Sequence, residues 1–77
     1  MKAIIEKTLF INGERWSQQT TLVGNMEEIL SDYNFHAHLH AGNGSFRKFT
    51  KHKPNSTVDF SFEGDNIKEE WLLLFKD

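Results

Sequence analysis

Asn12-Gly13 is the dipeptide that most narrows what this chain can fold into. A type I′ turn needs φ > 0 at both central positions, and Asn-Gly meets that need at little steric cost. The flanks suit strands. Residues 3–11, Ala-Ile-Ile-Glu-Lys-Thr-Leu-Phe-Ile, are rich in β-branched and aromatic side chains. A two-residue turn pairs Ile11 with Glu14, Leu9 with Trp16 and Ile5 with Thr20. One face of the hairpin over 3–22 then carries Ala3, Ile5, Leu9, Ile11, Trp16 and Leu22. The other is mostly polar, although Ile4 and Phe10 sit on it.

Gly24 ends that pattern, and Asn25 with Glu28 three residues on forms a capping box. Met26, Ile29, Leu30 and Tyr33 make one apolar helical stripe, which Asn34 can close in the left-handed conformation. Phe35 to Ala41 alternates strictly, with Phe35, Ala37, Leu39 and Ala41 on one side and His36, His38 and His40 on the other, and reads as a strand. Gly42-Asn43-Gly44 turns the chain. Ser45–Lys53 is the next strand, with Phe46 and Phe49 three apart and a bulge between them. Pro54-Asn55-Ser56 is a turn, and Thr57–Glu63 alternates again with Val58, Phe60 and Phe62 inward.

Past Gly64-Asp65, Asn66 and Glu69 offer a second capping box. Ile67, Trp71, Leu74 and Phe75 fall on one helical stripe, and Lys, Glu and Leu favour a helix. A strand from Glu69 to Phe75 returning over Gly64 is the alternative, because short apolar runs do not separate the two. The fold expected is α+β: a small antiparallel sheet packed by two short helices in the order β-β-α-β-β-β-α, the last element alternatively a strand. With 77 residues the chain makes one small domain, 1–77.

Charge is distributed unevenly. Tyr33 to Val58 holds no Asp or Glu, all four histidines, and Arg47, Lys48, Lys51 and Lys53, giving a local +4 within a chain of net charge −2. The expected contact surface is His36, His38, His40, Phe46, Arg47, Lys48, Lys51, His52 and Lys53. Lysine and arginine there could meet an acidic protein surface or neutralise phosphate, and an exposed Phe46 could stack on a base. On a strand, alternate imidazoles stand roughly 6.5–7 Å apart, a spacing from which two can share a metal. The segment has no carboxylate to support such a site. No metal and no cofactor are expected.

Other classes have little support in the residues. Cysteine is absent, which removes disulfides and thiolate metal sites and suits a cytoplasmic chain. The longest apolar run, Trp71-Leu72-Leu73-Leu74-Phe75, is far short of a membrane helix, and Glu6 interrupts the place where a signal peptide has its apolar core. There is no nucleophile elbow, no phosphate-binding glycine loop and no paired carboxylate spacing, so no enzyme is expected. The expectation is a cytoplasmic, non-catalytic binding protein that modulates or inhibits a larger protein or protein complex. Such small proteins include inhibitors carried by phages and other mobile elements. The alternative is a nucleic-acid-binding module using segment 35–53. An apolar run in so small a chain also suggests a homodimer through Trp71, Leu72, Leu73 and Phe75.

Overall fold

The structure, a computed structural model, describes residues 1–76. Its elements are β1 (Lys2–Ile11), β2 (Glu14–Val23), α1 (Met26–Ala41), β3 (Lys48–Lys51), β4 (Phe60–Gly64) and β5 (Ile67–Lys76). The strands form one antiparallel sheet in the order β2-β1-β5-β4-β3. Sequence and structure agree on an α+β fold, but the described residues form one helix rather than two.

The hairpin has the register its turn dictates: Ile11↔Glu14, Leu9↔Trp16 and Ile5↔Thr20. Asn12 and Gly13 sit at φ 49° and 84°, the two positive values of a type I′ turn. The capping box is complete. Asn25 Oδ1 accepts the Glu28 N–H at 2.9 Å, and Glu28 Oε1 accepts the Asn25 N–H at 3.0 Å.

Two expected elements are different. Phe35–Ala41 is not a strand but the second half of α1, which runs for 16 residues. Asn34 does not close the helix; its Nδ2 donates back to the Leu30 carbonyl at 2.9 Å, the local bond that lets Asn stay within a helix. The buried stripe Ile29, Tyr33, Ala37 continues at a spacing of four, and packing this face on the sheet outweighs the alternation in the sequence. The helix ends at Gly42, whose N–H reaches the His38 and Leu39 carbonyls at 3.2 Å.

Residues 67–76 form a strand, not a helix. β5 is central, paired with β1 along its whole length and with β4 from Ile67 to Trp71. Asn66, expected as a helix cap, instead takes φ 60° in the turn that joins β4 to β5. Trp71 and Leu73 face α1, while Leu72 and Leu74 lie half-buried on the opposite face. Tertiary pairing with β1 and β4 overrides the helix propensity of Lys, Glu and Leu. β3 is shorter than expected and pairs with β4 in register from Lys48↔Glu63 to Lys51↔Phe60. The expected bulge sits at its start: the Arg47 N–H also reaches the Glu63 carbonyl, at 2.7 Å, so Arg47 and Lys48 both oppose Glu63, and Phe46 and Phe49, three apart, both pack on the core.

The core lies between α1 and the sheet: Ala3, Ile5, Leu22, Ile29, Tyr33, Ala37, Phe60, Phe62 and Trp71. Tyr33 is its hinge pin. Its ring meets Phe60 edge-on at 5.1 Å, and its hydroxyl donates to Asp59 Oδ2 at 3.0 Å. The same oxygen accepts the Leu73 N–H at 3.0 Å, tying helix to sheet. Trp16, expected on the buried face, is 56% exposed, because the helix does not reach the far half of β2. Among the described residues, no helix is long and apolar enough to cross a membrane.

Candidate interaction surface

The acid-free segment does not fold into one surface. Helical geometry turns each successive residue by 100°, so His36 and His40, four apart, share one flank of α1 and His38 points to the other. His36 is exposed beside a cleft between α1 and the sheet. His38 has Nδ1 2.8 Å from the Asn34 carbonyl and its ring edge against Phe49 at 5.4 Å, on the other flank of the helix. His40 turns inward, with its ring 4.9 Å from Phe62, 5.0 Å from Phe46 and 5.1 Å from Trp71. Among the described residues no three His, Asp or Glu side chains gather as a metal-binding group.

The aromatic and basic residues are also largely committed. Phe46 packs against the core, on Phe62 at 5.5 Å, and Phe49 stacks on Phe60 and Phe62 at 5.6 and 5.2 Å. Both rings are partly buried against the core. Arg47 Nη2 lies 2.6 Å from Asp65 Oδ2, and Lys48 Nζ lies 3.9 Å from Glu63 Oε2. Both pairs are exposed and contribute little stability, but they set an acid of β4 and one of the β4–β5 turn beside two of the four bases. Among the described residues, Lys51 and Lys53 have no carboxylate within ion-pair distance and stay exposed. His52 between them turns inward, its Nε2 2.6 Å from Ser61 Oγ.

What the fold brings together instead is a buried polar knot and an exposed apolar face. Glu69, only 3% exposed, receives the Trp71 Nε1–H on Oε1 at 2.7 Å and holds Oε2 2.8 Å from His40 Nε2. Lys7 Nζ sits 4.6 Å from the centre of the Trp71 ring, a cation–π contact over the same residues. With these partners Glu69 leaves no buried polar atom unsatisfied. Asp59 beside the Tyr33 hydroxyl adds to the effect of burial, which pushes that phenol well above its ordinary range.

On the outer side of α1, Phe35 and Leu39, one turn apart, are 62% and 58% exposed. His36, Leu39, His40 and Asn43 form one wall of the cleft beside them, and Lys7 and Trp71 form part of its floor. In a strand, Phe35 and Leu39 would share the inward side with Ala37. In the helix they fall away from Ile29, Tyr33 and Ala37, and the wheel of residues 26–41 carries that signal. Trp71, part of the expected homodimer contact, lies in the core at 2% exposure, with Leu72 and Leu73 half-buried in the central strand.

Compared with models of known protein families, with curated proteins and with solved structures, the chain matches none.

Proposed function

We propose that this chain is a non-catalytic binding protein that acts by occupying a protein partner, and that the outer face of α1 makes the contact. The observation that carries this reading is the exposure of Phe35 and Leu39 on consecutive turns of a helix whose opposite face is fully buried. An aromatic ring beside a leucine, rimmed by polar residues such as Asp32 and His36, is the composition of an interface centre. Holding it on a helix fixed by a full capping box and by Tyr33–Asp59 lowers the ordering cost of binding.

Affinity capture from lysate of the source cells tests this reading, run with and without nuclease on the chain and on a Phe35→Ser/Leu39→Ser variant. The reading predicts a protein partner that survives nuclease and is lost with the variant. A second reading, nucleic-acid binding, is favoured by one observation, the exposed Lys51 and Lys53 at the β3 edge. It predicts capture that is removed by nuclease, kept by the Phe35/Leu39 variant and lost with Lys51→Glu/Lys53→Glu.

A further inference from the structure

The two edges of the sheet are treated differently by the sequence. β3 is four residues long and carries Lys48 and Lys51, the short, charged kind of edge that resists pairing. β2 is ten residues long, with no proline, no lysine and no break in its register, and every residue in it except Leu22 is exposed. Its charges, Glu14 and Arg15, sit at the turn end. A strand left in this state is a template for another strand.

The hairpin register says which groups are free. The two-residue turn makes Ile11 and Glu14 a hydrogen-bonded pair, so the even-numbered residues of β2 aim their N–H and C=O groups at β1. The Gly24 N–H donating to the Met1 carbonyl at 3.1 Å has the same parity. Arg15, Ser17, Gln19, Thr21 and Val23 therefore point theirs outward. No bond to their main-chain groups from any loop or side chain occurs among the described residues.

From this edge we infer that the chain forms a symmetric dimer by antiparallel pairing of β2 with β2 of a second copy, in the register where Gln19 faces its own copy across the two-fold axis. This inference does not depend on the function proposed for α1. The outward-facing odd residues must pair with odd residues, which restricts the registers to steps of two. With Gln19 on the axis, Trp16 lies opposite Leu22 of the second copy, Gln18 opposite Thr20, and Ser17 opposite Thr21. Trp16 and Leu22 make an apolar pair, Gln18 with Thr20 and Ser17 with Thr21 make polar ones, Arg15 near the turn faces Val23, and the exposed Trp16 ring gains an apolar neighbour. Shifting two residues one way sets Trp16 against Thr20 and Glu14 against Leu22. The opposite shift sets Trp16 against Gly24 and Gln18 against Leu22. Neither shift gives Trp16 an apolar cross-strand partner. A second copy is favoured over an unrelated strand because, among the registers that pair most of β2, this one sets Trp16 against an apolar residue of the same segment. The two-fold axis then puts both helices on the same side of one continuous sheet.

Sedimentation of the full chain at tens of micromolar tests the inference, together with Gln19→Lys, Gln19→Glu and their equimolar mixture. Residue 19 is exposed in the single chain, and its outward backbone groups take no part in that chain's fold, so each variant should keep the parent's far-ultraviolet circular dichroism. The expected result is a species of twice 9.0 kDa for the parent, monomers for each charged variant alone, and the dimer restored in the mixture. Like charges then repel on the axis and opposite charges attract. A parent that sediments as a monomer overturns the inference. So does a dimer indifferent to both substitutions, or a mixture that stays monomeric. For a variant that loses the parent's spectrum, Thr21→Lys with Ser17→Glu replaces it. These two face each other twice in the inferred register, so that chain should dimerise at least as tightly as the parent, and loss of dimer there overturns the register.

Discussion

His40 Nε2 lies 2.8 Å from Glu69 Oε2, joining the last turn of α1 to the first half of the central strand. The carboxylate is almost wholly out of water, and its other oxygen takes the Trp71 indole N–H. A buried acid is tolerated only where each oxygen has a partner, so these three side chains stand or fall together.

His40→Ala should therefore cost about 1–3 kcal/mol, since it strips one partner from a buried carboxylate and opens space beside Phe46, Phe62 and Trp71. Urea unfolding of His40→Ala, Glu69→Gln and the double variant should give a coupling energy of about 0.5–3 kcal/mol. Additive effects would show that the contact carries no energy of its own.

Tyr33 gives a pH signature. Burial and Asp59 raise its phenol above the ordinary value of 10.0, so the folded chain holds that proton more tightly than the unfolded chain. The resulting stability is fully present below pH 10.0 and is lost as pH rises through the alkaline range. Tyr33→Phe should cost about 1 kcal/mol near neutral pH and should flatten the alkaline fall. Parallel alkaline curves for the two proteins would contradict the assignment.

Gly64 and Gly44 make a matched pair. A Cβ on Gly64 would run into the Ser45 carbonyl, whereas one on Gly44 meets nothing within 4 Å. Gly64→Ala should destabilise by about 1–3 kcal/mol through overpacking, and Gly44→Ala should lie within about 0.5 kcal/mol of the parent. Thermal unfolding of the two variants compares them directly, and equal melting temperatures would count against the close approach at Gly64.

The parts legible in the sequence are those that local chemistry decides. Asn12-Gly13 has few alternatives to a tight turn, and Asn25 with Glu28 satisfies helix donors wherever the helix then goes. Residues 35–41 and 67–76 are decided elsewhere. The alternation of Phe35 to Ala41 fits a strand locally, yet Tyr33 and Ala37 find the sheet only if the helix continues. The stripe from Ile67 to Phe75 fits a helix, yet it fills the gap between β1 and β4 only as a strand. The candidate surface moved for the same reason. Once 35–41 is helical, His38 separates from His36 and His40, Phe46 packs against the core, and Phe35 and Leu39 come to the outside. Glu69 did leave a trace: an acid at the second position of the alternating Ile67, Glu69, Trp71, Leu73 stripe marks a buried carboxylate that must have partners.

Site-directed crosslinking tests the binding reading most directly, and the absence of cysteine makes it clean. Ser31→Cys places a photoreactive label one turn before Phe35, and Ser56→Cys places one in the loop that follows Lys53; both positions are exposed. Incubated in lysate of the source cells, the Ser31-labelled chain should crosslink to a protein partner, and the same chain carrying Phe35→Ser and Leu39→Ser should not. A partner captured only from position 56, or one captured from position 31 regardless of Phe35 and Leu39, would contradict the account.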